Sequence, residues 1–262
     1  AEGDVIQGER PVKPGAGLEL DHLRDYERGD PLHTIDWKAT ARSQKLITRV
    51  FCDEQHLEIL LVLDAGRTSR TRVDGMSQLG HYINLAAQFS QFAMANGDEV
   101  GLVAVADKPL AALPAGRGTR GMAAMNRALR GLESLPVETD MLSAALQVQQ
   151  LARGRCLVIV VTDLYGQSLE GNFGRSLRLW SSRHLPFIAS MIGSDVTALG
   201  GERAEAPVDP FTSLATAGYR DTVLANAEAA RRLGAQAIVT RPAELQARVI
   251  SEYQLLKRQR RV

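Results

Sequence analysis

From Leu57 onward, apolar positions fall into short continuous runs separated by stretches with helical periodicity. Leu57 to Leu63 is nearly unbroken hydrophobic, the pattern of a strand covered on both faces. Ser77 to Ala95 carries Leu79, Ile83, Ala86, Ala87 and Met94 on one helical stripe, and Asn96-Gly97 closes it, since both residues tolerate the left-handed conformation. Glu99 to Val105 predicts a second strand. Pro109 to Leu113 predicts a short one at a sheet edge, because proline cannot serve an inner ladder. Helices are predicted over Thr119 to Leu132 and Asp140 to Ala152, then a buried strand over Cys156 to Val161, a helix over Leu169 to Ser182 and a strand over Phe187 to Ile192. Gly193 to Gly218, rich in Gly, Pro and Ala, predicts a loop. A helix over Tyr219 to Leu233, a strand over Ala237 to Thr240 and a helix over Pro242 to Lys257, with proline in its first turn, complete the pattern.

Strands alternating with helices predict an α/β fold, a doubly wound, mostly parallel sheet flanked by helices in a Rossmann-like arrangement. Residues 1–55 read differently. They are rich in charge, punctuated by Lys13-Pro14-Gly15 and Arg28-Gly29-Asp30-Pro31, and poor in apolar side chains. They predict an irregular N-terminal appendage with one short strand near Leu46 to Phe51, leaving residues 56–262 as the main domain. Ligands of doubly wound sheets bind beyond the carboxyl ends of the strands. Attention therefore falls on the residues just after Leu63, Val161 and Ile192.

Composition narrows the class of partner. Hydrophobic residues make up 45% and charged residues 23% of 262, enough for a real core without staples. Thirty-one Lys and Arg against 30 Asp and Glu leave a net charge of +1, which supplies no field for nucleic acid. No apolar run approaches the roughly 20 residues of a membrane helix, and no signal peptide is visible. Cys52 and Cys156 lie far apart, and Cys156 opens an apolar run, so a buried thiol in a reducing compartment is expected. The expectation is cytoplasmic. The chain begins at Ala1 rather than Met, which leaves a preceding membrane anchor open; with one, the expected place is the cytoplasmic face of the inner membrane.

The candidate chemistry sits at strand ends. The first central strand runs into Asp64-Ala65-Gly66-Arg67-Thr68-Ser69, a later one into Thr162-Asp163, and Thr139-Asp140 opens a helix between them. Asp64, Thr68, Thr139 and Asp163 would give Mg²⁺ the mixture of few carboxylates, hydroxyls and retained waters that it favours. A remaining position would accept a partner's carboxylate, with Arg67 and Asp140 beside it. The same residues also fit plain helix caps and turns. The order strand-Asp-x-Ser-x-Ser, Thr loop, strand-Thr-Asp resembles the metal-ion-dependent adhesion site of von Willebrand factor A domains. Gly66 stands where that pattern has its first Ser, and Thr68 replaces the second, so one oxygen ligand is missing.

A longer motif lies upstream: Gly17-Leu18-Glu19-Leu20-Asp21-His22-Leu23-Arg24-Asp25-Tyr26-Glu27-Arg28-Gly29-Asp30, then Ile35-Asp36-Trp37-Lys38-Ala39-Thr40-Ala41-Arg42. It resembles the signature of the bacterial domain-of-unknown-function family fifty-eight, the companion of MoxR-type AAA+ ATPases. The resemblance implies a von Willebrand A-like fold, a MoxR ATPase partner and a chaperone-like role in maturing or assembling a client protein. Its opposite charges form an expected network around Trp37, which is a candidate for partner contact. Gly116-Arg117-Gly118-Thr119-Arg120-Gly121 matches G-x-G-x-x-G, but Leu132 to Thr139 contains Pro136 and does not read as the second strand that a dinucleotide site needs. Arg117 and Arg120 instead suggest a basic loop facing a partner. Lys257-Arg258-Gln259-Arg260-Arg261 reads as a solvated helix end. The leading expectation is a protein-interaction module. The alternatives are a metal-dependent hydrolase or phosphotransferase using the same carboxylates, which lacks an evident nucleophile and base, and a structural domain with a dead metal site.

Overall fold

A computed structural model describes residues 19–52, 56–194, 196 and 210–259. The chain divides into two compact units, Ala1–Gln55 and His56–Val262. In the first, β1 (Glu19–Asp25) pairs antiparallel with β2 (Ile47–Cys52), and the short helix α1 (Trp37–Ser43) lies between them in sequence. Within the irregular N-terminal appendage that the sequence predicts, residues 19–52 thus form a hairpin with a helical insertion, and β2 matches the short strand expected near Leu46 to Phe51. Polar side chains do the folding. Arg24 forms a two-pronged pair with Asp30, both bonds 2.8 Å, and Asp36 caps α1 by accepting from Ala39 N–H. Arg24 holds the Asp30 carboxyl below its ordinary value.

The second unit is built on a six-stranded sheet in the order β10-β9-β8-β3-β6-β7. The strands are β3 (Glu58–Asp64), β6 (Glu99–Val105), β7 (Pro109–Gly116), β8 (Leu157–Val161), β9 (Leu185–Met191) and β10 (Gln236–Thr240). All neighbours are parallel except β6 and β7. A two-stranded ribbon of β4 (Arg72–Val73) and β5 (Met76–Ser77) precedes α2 (Gln78–Ala95). The remaining helices are α3 (Gly118–Arg130), α4 (Met141–Leu151), α5 (Asn172–Arg183), α6 (Pro210–Arg232) and α7 (Leu245–Arg258).

Alternation within β3 sorts the core. Ile59, Leu61 and Leu63 face α2, α3 and α7, while Leu60 and Val62 face α4, α5 and α6. Both faces are dry, which is why the strand reads as an unbroken apolar run. The helix after β3 covers one face and the helix after β8 the other. The crevice between the carboxyl ends of β3 and β8 is therefore the topological switch point of the sheet.

Three predicted spans change. The edge strand β7 reaches Gly116, so Arg117 is the cap of α3 and not part of a loop. The Gly121 Cα packs against the Gly116 backbone, where an added Cβ would sit 2.8 Å from the Gly116 carbonyl carbon. That close approach accounts for the spaced glycines. The Gly193–Gly218 loop also shrinks, because α6 already begins at Pro210, where proline suits the first turn. Residues 195 and 197–209 of that loop lie outside the described residues. Finally, Lys257 is not at a solvated helix end. Its Nζ lies 2.7 Å from a carboxylate oxygen of Asp98, and Asp98 is fully buried.

Candidate functional site

Asp64 closes β3 and is completely buried at the switch point. Both of its oxygens accept two hydrogen bonds. Oδ1 takes the Gly66 N–H at 3.0 Å and the Thr139 hydroxyl at 2.5 Å. Oδ2 takes the Thr162 hydroxyl at 2.6 Å and the Gln167 amide at 3.3 Å. Thr162 in turn accepts from the same Gln167 amide at 3.0 Å. A buried carboxylate without a cation costs several kcal/mol unless its lone pairs are filled. These four donors fill them.

The loop that delivers Thr139 is stitched across Gly66. Leu135 N–H donates to Ala65 C=O and Arg67 N–H to Val137 C=O, both at 2.8 Å. A Cβ on residue 66 would lie 2.0 Å from Thr139 Oγ1 and 2.9 Å from the Val137 carbonyl oxygen. Glycine is therefore the only residue that lets the Thr139 hydroxyl reach Asp64 in this arrangement.

Asp163 follows β8 at the same crevice. Its Oδ1 accepts from Tyr165 N–H at 2.9 Å and from the Tyr219 hydroxyl at 3.3 Å, and its Oδ2 from the Gln78 amide at 3.4 Å. Tyr82 donates to the Gln78 carbonyl oxygen at 2.7 Å, extending the chain of bonds into the core. Burial pushes the Asp163 carboxyl above its ordinary value, and the nearby Asp64 charge adds to that. The Tyr82 hydroxyl is raised too, again mainly by burial.

The fold thus gathers Asp64, Gly66, Thr139 and Asp163, with Thr68 beside Gly166, whose Cα faces the Thr68 methyl group. Mg²⁺ needs oxygen lone pairs. Here the Thr139 and Thr162 hydroxyls and the Gln167 amide all turn donors onto Asp64, and the oxygens of Asp163 are engaged elsewhere. No cluster of three or more His, Cys, Asp and Glu side chains suited to a metal occurs among the described residues. As packed, a cation could reach Asp64 only by displacing one of the four donors that hold it.

Above the buried acids the face is exposed. Arg67 pairs with Glu138 at 2.5 Å, their side chains 66% and 75% accessible. Tyr165, 53% exposed, stacks on Tyr219 with ring centroids 4.8 Å apart. Asp140 caps α4 and accepts from the Asn172 amide at 3.3 Å, joining the starts of α4 and α5. Arg117 and Arg120 are not part of this face. Arg117 lies 4.0 Å from Glu99 at the amino end of β6, and Arg120 comes after it on α3. Trp37, 66% exposed, belongs to the first compact unit. Tyr165 falls in the Asp163 to Gly166 stretch that the sequence points to as part of this face, whereas sequence reasoning missed Gln78, Gln167 and Tyr219. Gln167 carried a weak signal, since it comes just after the Thr162-Asp163 strand end. Gln78 and Tyr219 carried none.

Cys156 is a free, buried thiol, pushed up to about 12 by burial, with its sulfur 3.3 Å from His184 Nδ1. It lies at the amino end of β8 and takes no part in the site.

Residues 22–192 match the family model described as protein of unknown function DUF58. The chain is similar to the uncharacterized protein Rv1480 of Mycobacterium tuberculosis, at 24% identity over 173 residues, 65% of this chain and 54% of the relative. A Mycobacterium bovis protein, Mb1516, is similar to the same extent. The chain thus spans about half the length of these curated relatives. Among solved structures it is similar to the conserved hypothetical protein BatB of Bacteroides thetaiotaomicron, with TM-score 0.48 and 15% identity over 78% of this chain and 99% of that one. A von Willebrand factor type A protein of Catenulispora acidiphila gives TM-score 0.47 and 13% identity over 77% and 42%.

Proposed function

This chain belongs to the DUF58 family of proteins of unknown function, and from that premise we propose that it is a protein-interaction module and not an enzyme, with its binding face at the carboxyl end of the sheet. The observation that carries this reading is the contrast at the switch point. The carboxylate placed where a doubly wound fold does its chemistry is buried with all four acceptor positions filled, while Arg67, Glu138 and Tyr165 above it are exposed. A group that is neither reachable nor free to accept a proton is poorly suited to act as base, nucleophile or ligand. Exposed Arg and Tyr side chains are typical anchors of protein interfaces.

The partner in this reading is a MoxR-type AAA+ ATPase, and the role is chaperone-like maturation or assembly of a client protein on the cytoplasmic side. The support is the Gly17 to Arg42 motif, within which the Arg24–Asp30 pair and the Asp36 cap shape residues 24–39. Recognition proceeds without Mg²⁺, through side chains alone.

Two measurements test this. Titration calorimetry with MgCl₂ and MnCl₂ should give no saturable heat at millimolar metal, and saturable binding lost in Asp64→Ala would overturn the metal-free reading. A MoxR-type ATPase from the same organism should bind the chain, and Arg67→Glu with Tyr165→Ala should weaken that binding at least tenfold. Unchanged affinity would remove the switch-point face from the interface.

A further inference from the structure

The outer strand β10 pairs with β9 on one side only, and no strand pairs with its other edge among the described residues. In a parallel ladder alternate residues point their backbone groups to opposite sides. Thr240 C=O accepts from Ile192 N–H at 2.9 Å, so Ile238 and Thr240 face inward. Ala237, Val239 and Arg241 then face outward. The Arg231 guanidinium covers the Ala237 carbonyl at 2.7 Å and ends the open edge there. What remains open is the Val239 N–H and C=O and the Arg241 N–H.

This stretch of edge is not buried under the flanking helices. A cleft of about 400 Å³ runs beside it, between α6 and α7. Val239, Ile192 and the half-exposed Leu224 supply apolar wall. Arg220 of α6 and Arg248 of α7 flank it, both exposed. Glu244, in the same lining, is paired with Arg241 at 2.5 Å and only more distantly influenced by Arg248. Exposed edges are usually blunted by charge, bulges or a covering element. Here the nearest charges are the two exposed guanidinium groups, set beside the apolar wall of Val239, Ile192 and Leu224.

We propose that the edge of β10 from Val239 to Arg241 takes an extended acidic segment of a partner protein, which adds to the sheet as a further strand with its carboxylates against Arg220 and Arg248. Backbone hydrogen bonds to the edge supply register, and the two guanidinium groups select charge. The site is separate from the switch-point face and does not depend on the reading given to it.

The probe is a fluorescein-labelled nonapeptide in which Glu alternates with Val, titrated with the full chain and monitored by anisotropy. Saturable binding is expected, weakening as salt is raised. The double variant Arg220→Glu, Arg248→Glu, both surface positions, should lose at least tenfold in affinity with an unchanged circular dichroism spectrum. The same peptide N-methylated at alternate residues keeps its charge but cannot pair along an edge, and it should not bind. Absence of saturation, equal affinity of the double variant, or equal affinity of the N-methylated peptide would each overturn the proposal.

Discussion

Gly66 illustrates how one missing side chain can rewrite a site. By sequence it is a lost oxygen ligand, and the packing gives it a positive role, since Thr139 occupies the space that a side chain at 66 would need. Gly66→Ala should therefore destabilise by about 1–3 kcal/mol through overpacking, and Thr139→Ala by about 1.5–3 kcal/mol through the lost bond to a charged acceptor. The two effects should not add. In the Thr139→Ala background the Gly66→Ala cost should shrink, and a double-mutant cycle by urea denaturation measures that coupling. Additive costs would mean that the two side chains do not compete. Asp163 offers a second residue-level test. Its raised value means that the folded state binds this proton more tightly than the unfolded chain. The contribution is favourable below the ordinary carboxylate range and is lost as pH rises through the raised value. Asp163→Asn should flatten the stability curve across that window, and equal slopes would show that Asp163 does not titrate there. The carboxylates themselves were legible in the sequence, because acids at strand ends stand out against apolar runs. So were Thr139 and Thr162, two of the donors to Asp64, but the side-chain donors to Asp163 were not, because Gln78 and Tyr219 reach it from helices distant in sequence.

At the scale of elements, legibility tracked burial. β3, β8 and β9 are covered on both faces and announce themselves as apolar runs. β7 is only half covered, so its true end at Gly116 hid behind proline and glycine. The last helix hid a different fact. Asp98 comes directly after Asn96-Gly97 and reads as one more turn residue, yet it is fully buried and collects Leu57 N–H at 2.9 Å, the Tyr253 hydroxyl and the Lys257 ammonium. This cluster ties α7 to the turn before β6. Lys257, 30% exposed, is the charge that balances Asp98. Lys257→Met leaves a buried anion without a counter-charge and should cost about 2–4 kcal/mol, somewhat below a fully buried pair. The measurement is the urea midpoint at neutral pH. A loss under about 0.5 kcal/mol would class the contact with ordinary surface pairs.

At the scale of the whole molecule, the two units differ in what holds them. Both hydrophobic clusters lie within His56–Val262. Among the described residues of the first unit, Ile35 is the one buried hydrophobic side chain, and ion pairs and caps do the rest. The apolar burial among those described residues is too small to offset their chain entropy. A peptide of residues 1–55 should therefore show no cooperative thermal transition by circular dichroism, while a chain starting at His56 should unfold in a single one. The tryptophans make the second half of this easy to read. Trp180 is fully buried in α5 and Trp37 is 66% exposed. Acrylamide should quench the full chain in two phases and the shorter chain in one, slow phase. If the shorter chain quenched readily, its Trp180 would be accessible, and the core of the second unit would depend on residues 1–55.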